Sequence, residues 1–267
     1  MVRSAVVAGT FYPGEPQELG SMLERLLTPR PATPEKALAA IVPHAGYIYS
    51  GECAGKALRR LAIPATVVIA GVNHHGFGHP LAVDDHDAWQ TPGGPVTVDR
   101  ELGAKLVAAE PRFGFDATAG AREHSLEVQV PFLRHLRSDV RILPITVACQ
   151  DPEELLGAGT ALGKLLTGNE EVMLLASTDM SHYLPAPVAA RYDRLAIAAI
   201  EALDPAALLA TVRTHHISMC GAAPTALVLA AAIAAGALRV EPVCYTHSGT
   251  VTGDEHEVVA YYSALVH

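Results

Sequence analysis

A chain of 267 residues that is half apolar and only 18% charged has ample material for a core, which excludes an intrinsically disordered protein. Its formal charge of −9, from 19 basic and 28 acidic residues with no lysine or arginine run, offers no electrostatic footprint for phosphate backbones, so no nucleic acid partner is expected. The four cysteines, Cys53, Cys149, Cys220 and Cys244, lie far apart with no CxxC pair, and this spacing does not suggest a secreted disulfide framework.

The N-terminal stretch carries one early basic residue, Arg3, and an apolar run too short for a signal peptide, so a cytoplasmic location is expected. Ala37 to Pro43 is the first strand-like run and Thr66 to Gly71 the second. The Gly/Pro-rich stretch Gln90 to Pro95 reads as a surface loop. Asp99 then caps a run of mostly good helix formers. Val140 to Val147 is a third strand. Asp151-Pro152-Glu153-Glu154 opens a helix with proline in the first turn and acids beside the positive dipole end. Val172 to Ser177 is a fourth strand, and Asp204-Pro205 repeats the helix-opening device. Ala222 to Leu238 is alanine-rich, contains Pro224 and Thr225 and is slightly short for a span. It reads as a helix buried in a protein core, and no membrane partner is expected. Arg239 to Thr246 and Glu257 to Ser263 complete six strands. Continuous apolar runs imply strands covered on both faces, and their alternation with helices implies an α/β fold. The expectation is a single domain over residues 1–267, with a mixed, largely parallel β-sheet flanked by helices on both faces.

Three of the strands end in polar clusters: Pro43-His44-Ala45-Gly46-Tyr47, Asn73-His74-His75-Gly76 and Thr178-Asp179-Met180-Ser181-His182-Tyr183. Ligand sites in open α/β sheets form at the carboxyl ends of strands, so parallel strands would bring His44, His74, His75, Asp179 and His182 to one edge. Any one histidine is more often structural than a ligand, and His79, His86, His135, His256 and His267 are read that way. His44 and His74 stand out because each follows a buried strand and is followed within two residues by a glycine that would let the backbone approach a ligand. His75 would point elsewhere in an extended backbone, toward substrate. Cys220, just before the alanine-rich helix, is either a ligand whose thiolate the helix dipole favours or a buried, inert thiol. Cys53, Cys149 and Cys244 read as inert. Glu123 and Glu127 would share a face if their segment were helical, with His124 nearby. They would then either orient a histidine and move protons or form a solvated face.

In sequence order, Ala8-Gly9-Thr10-Phe11-Tyr12-Pro13, Pro43-His44-Ala45-Gly46-Tyr47-Ile48-Tyr49-Ser50-Gly51, Asn73-His74-His75, Glu123-His124-Ser125-Leu126-Glu127, Ser177-Thr178-Asp179-Met180-Ser181-His182-Tyr183 and Met219-Cys220-Gly221 span nearly the whole chain. Together they resemble the Memo family, whose prokaryotic members are often labelled AmmeMemoRadiSam system protein B. That family is similar in fold to the class III extradiol dioxygenases. The resemblance implies metal binding by His44, His74 and Cys220, with His182 lining the same pocket. The dioxygenases use a carboxylate as third ligand, and a cysteine in that position makes the site softer, which puts ring cleavage in doubt. Val72-Asn73 also replaces the Pro-Ser of many relatives without removing a ligand.

Two imidazoles and a thiolate suit iron, copper or zinc and disfavour magnesium and calcium. The expected function is an iron- or copper-dependent oxidoreductase acting on a small organic substrate, with zinc less expected. His182 would be the acid/base, Asp179 or Glu123 would fix an imidazole tautomer, and His75, Tyr47 and His124 would contact substrate. Two other classes compete. One is an adaptor that binds a peptide or protein in the same cleft, lined by Tyr47, Tyr49, Tyr183 and Trp89. The other is a zinc-dependent hydrolase. The family label also implies a radical-SAM partner system.

Overall fold

The computed structural model describes residues 1–267, and the six apolar runs supply six of the nine strands of its main sheet. In chain order, β1 (Val2–Arg3) and α1 (Pro16–Leu27) precede β2 (Ala39–Val42), α2 (Tyr47–Leu58) and β3 (Thr66–Val72). Three short strands, β4 (Leu81–Val83), β5 (Ala88–Thr91) and β6 (Gly94–Thr97), lead to α3 (Arg100–Ala109), β7 (Gly114–Phe115) and α4 (Ala117–Gly120). A 3-10 turn (Glu127–Gln129) runs into α5 (Val130–Leu136), followed by β8 (Arg141–Val147), α6 (Pro152–Leu166), β9 (Val172–Ser177) and β10 (His182–Leu184). Helices α7 (Ala186–Glu201), α8 (Pro205–Thr214) and α9 (Ala222–Ala234) come next, then β11 (Val240–His247), α10 (Gly249–Thr252) and β12 (Val258–Val266).

The main sheet has the order β10-β12-β2-β9-β3-β8-β4-β7, with β11 paired to β12. Its centre, β2-β9-β3-β8, is parallel, whereas β12 is antiparallel to β2, and β4 to β8. The fold is therefore α/β with a mixed sheet. Alternate residues of the central strands serve two cores. Ile41, Val68, Ala70, Leu143 and Leu174 pack toward α3, α6, α8 and α9. Ala40, Val42, Val67, Ile69 and Met173 pack toward α1, α2 and α5. This two-sided burial is why the runs are apolar throughout rather than alternating.

The helix-opening aspartates cap as expected. Asp99 accepts from the Leu102 N–H, Asp151 from the Glu153 and Glu154 N–H groups, and Asp204 from the Ala207 N–H. Helix α9 is the buried alanine-rich segment, and no helix is long and apolar enough to cross a membrane. It lies against α6 at very close range. A methyl on Gly159 would sit 2.5 Å from the Leu227 carbonyl oxygen, and one on Gly163 would overlap that of Ala231. The stretch Gln90 to Pro95 is not a loop. It spans the β5–β6 hairpin, in which Thr91 opposes Gly94 across a tight Pro92-Gly93 turn. Together with β1 this hairpin forms a small second sheet.

Candidate metal centre

Because β2, β3 and β9 run parallel, their carboxyl ends bring His44, His74 and Asp179 to one edge of the sheet. His44 is buried at 2% exposure. Its backbone N–H donates to Asp179 Oδ1 at 2.7 Å, and its Nδ1 lies 3.1 Å from Ser177 Oγ. Its Nε2 is 3.2 Å from Cys220 Sγ. His74 is exposed at the rim of the cleft, and Glu123 grips it twice, accepting from the backbone N–H at 2.8 Å and pairing with Nδ1 at 2.9 Å. A carboxylate on Nδ1 fixes the ring orientation and leaves Nε2 as the free nitrogen.

His124 completes the cluster. Its ring stacks on His74 with centroids 4.6 Å apart, and His44 stands edge-on to both at 5.5 Å. One ring nitrogen from each of His44, His74 and His124 lies within 4.8 Å of the others, a spacing at which one ion could touch all three. Cys220 Sγ is outside that trio but in contact with the His44 nitrogen.

Electrostatics keep His44 and His124 neutral, the form that ligates metals. Burial, and then the neighbouring His74, push His44 down to about 3. Burial and His44 push His124 down to about 4. Burial opposes ionisation of Glu123, but the His74 hydrogen bond and charge outweigh it and hold the carboxyl at about 2. Asp179 is raised to about 6 by burial, against the stabilising His44 N–H. For Cys220 the sequence left two readings open, a dipole-favoured ligand thiolate and a buried, inert thiol. Its sulfur is enclosed next to Asp179, and burial followed by that carboxylate pushes the thiol well up, outweighing hydrogen bonds such as the one from the Asp179 N–H at 3.4 Å. A bound cation would reverse that balance, since a coordinating thiol is deprotonated outright.

The other expected site residues are placed as follows. His182 is half-buried, with Nδ1 2.8 Å from the Ser218 carbonyl oxygen and its backbone N–H on Ser218 Oγ. Its charge weighs on His44 and Asp179, so it borders the cleft. His75 lies on the exposed rim, with Nε2 3.1 Å from the Arg122 carbonyl oxygen. Tyr47 is not in the cleft. It is buried, its hydroxyl donates to the Val128 carbonyl oxygen at 2.7 Å, and its ring packs on Phe132 and Tyr12. Asp179 holds the His44 backbone rather than an imidazole nitrogen. Gly76 serves a turn at φ +70°, with its N–H on Asn73 Oδ1, rather than a ligand approach.

Glu123 and Glu127 do not share a helical face. Residues 121–126 form turns, and both carboxylates are fully buried with separate partners. Glu127 accepts from Arg3, from the Val6 and Val7 N–H groups and from the Tyr12 hydroxyl. Arg3 in turn donates to the Gly120 and Glu123 carbonyl oxygens and stacks over Trp89 at 4.0 Å. These contacts tie the N-terminal segment to the turn that carries Glu123 and His124.

The sequence reading did not single out three further positioning groups, Ser177, Ser218 and Gln129, the last donating to Ser177 Oγ at 2.8 Å. Their signal was slight. Ser177 ends a strand beside the cluster, and Ser218 lies two residues before Cys220.

The Memo-like protein family model matches residues 3–265. A MEMO1 family protein of Aquifex aeolicus is 42% identical over 99% of this chain and 98% of its own length. One from Methanopyrus kandleri is 39% identical over 98% and 97%. Among solved structures, an uncharacterized protein of Escherichia coli K12 superposes with a TM-score of 0.57 at 15% identity, covering 85% of this chain and 99% of that one, which is a likeness of fold alone. With the family model and full-length relatives in agreement, the chain belongs to the Memo family.

Proposed function

We propose that this protein holds iron or copper at His44, His74 and Cys220, with His124 beside them, and is an oxidoreductase acting on a small organic substrate in the cytoplasm. The observation that carries the reading is the convergence of three imidazole nitrogens within 4.8 Å, with the Cys220 sulfur 3.2 Å from one of them. Nitrogen and sulfur donors without an available carboxylate favour a transition ion over magnesium or calcium. Four such donors would close a tetrahedral zinc site, whereas iron accepts two further ligands, and this supports redox over hydrolytic chemistry. When bound, the ion would supply one-electron chemistry and polarise an oxygen of the substrate.

The chain's own groups do the rest. Glu123 locks the His74 tautomer, Ser177 sets the His44 ring, and Asp179 fixes the His44 backbone. His182 donates Nδ1–H to the Ser218 carbonyl, so its Nε2 is free to take or give a proton at the mouth of the cleft.

The test is metal analysis of freshly purified wild type against the His44→Ala/Cys220→Ala double variant. Wild type should retain iron or copper near one ion per chain and the variant should not. Equal, negligible content in both would refute the site. Oxygen uptake with a panel of catechols, abolished in His182→Ala, would support the reaction class. Metal retention without any turnover that depends on His182 would refute the assigned acid/base.

A further inference from the structure

We propose that Cys53 and Cys244 form a second, metal-independent reaction site, a thiol pair that reduces a hydroperoxide and closes to a disulfide. Cys53 lies on α2, fully buried, with Sγ 3.6 Å from Ser263 Oγ and 3.8 Å from the Cys244 carbonyl oxygen. Ser263 is the residue directly opposite Cys244 in the β11–β12 ladder, so Cys53 sits over this cross-strand pair. The ladder shifts register between Pro242 and Cys244. Strand β11 has only β12 as a neighbour, which makes it an edge strand, and Cys244 is half-buried there. One cysteine is thus partly open to solvent and the other is buried against its backbone. The Cys53 S–H favours the Cys244 thiolate, as does Lys56 one helical turn along α2, and Cys244 is brought down to about 7. The remaining thiols differ. Cys149 is buried and donates to the Asp151 carbonyl, and Cys220 belongs to the cleft.

The chemistry balances without a metal. The Cys244 thiolate attacks the terminal oxygen of the hydroperoxide and the O–O bond breaks. The alkoxide leaves as an alcohol after gaining a proton, and Cys244 becomes a sulfenic acid. The Cys53 sulfur then attacks the Cys244 sulfur, and hydroxide departs as water with the Cys53 proton. Two thiols are oxidised by two electrons and one peroxide is reduced to alcohol and water. The buried partner protects the outer sulfur from irreversible oxidation by trapping the sulfenic acid.

The experiment uses hydrogen peroxide on the protein as purified, on chelator-treated protein and on His44→Ala, followed by alkylation and non-reducing peptide mass mapping. All three should yield a Cys53–Cys244 cross-linked peptide that dithiothreitol reverses. Cys244→Ser should abolish the link and leave Cys53 reduced. Cys53→Ser should leave a Cys244 sulfenic acid that dimedone traps. Over-oxidised Cys244 with alkylatable Cys53 in wild type would overturn the proposal. So would a link to Cys149 or Cys220, or a Cys53–Cys244 link lost on chelation. Cys244 lies near the surface, so its variant keeps the test decisive even if Cys53→Ser folds poorly.

Discussion

Replacing Arg3 with methionine should be among the most damaging single changes in the molecule. The side chains of Arg3 and Glu127 are only 2% and 1% exposed, and their ion pair is 2.6 Å long. Removing one partner of a buried pair costs about 3–5 kcal/mol, because the other charge is left without compensation. Here the Val6 and Val7 N–H groups and the Tyr12 hydroxyl still serve Glu127, which relieves part of that cost. Against this, the Gly120 and Glu123 carbonyls lose their donor, at about 1–3 kcal/mol for each buried unsatisfied group. The two corrections offset, leaving a loss of about 3–5 kcal/mol. For chains of comparable size that lowers Tm by about 2–4 °C per kcal/mol. Thermal and urea unfolding of Arg3→Met and of the double variant Arg3→Met/Glu127→Leu would measure it, the double variant falling short of the sum of its singles. A loss below about 1 kcal/mol, the value of a solvent-exposed pair, would refute the reasoning.

Gly163→Ala should destabilise by about 1–3 kcal/mol through overpacking against the Ala231 carbonyl, read by urea unfolding. Asp151→Ala should cost about 0.5–2 kcal/mol, since its carboxylate caps two N–H groups of α6, and Asp151→Asn should restore most of it. Cys244 alkylation should rise with pH through a midpoint of about 7, because the thiolate is the reactive form and its titration is depressed. The charged groups around Cys244 are Lys56 and Glu52 of α2 and, across a surface cavity, Arg194 and Glu201 of α7. Cys53→Ala, which removes the S–H donor, should move that midpoint upward toward an ordinary thiol. An unmoved midpoint would count against the contact.

Five of the main strands were legible because burial on both faces leaves a largely apolar run in the sequence, whereas β11 at the edge has no fully buried residue. Strands such as β4 and β7, of three and two residues, carry no such run, and their pairing is decided by tertiary neighbours. His44 and His74 were legible for the same reason as the strands, since parallel strands place their following loops together. His124 was harder. It lies in a turn outside any strand, and the spacing of Glu123 and Glu127 imitated a helix face. Their separate partners emerge only in three dimensions, Arg3 being 124 residues from Glu127. The two readings of Cys220 stayed open because a helix terminus can be read in sequence, whereas enclosure of the sulfur beside Asp179 cannot.

The meeting of α6 and α9 reaches further than its own layer. Cys220 stands two residues before α9 begins, and a methyl on the intervening Gly221 would strike Thr178. The depth at which α9 seats therefore sets how far the sulfur extends toward His44. Two absent methyl groups on α6, at Gly159 and Gly163, act as its gauge. A bulkier residue at 159 or 163 would lift the helix and withdraw the sulfur, detuning the cleft from a distance without touching any residue in it.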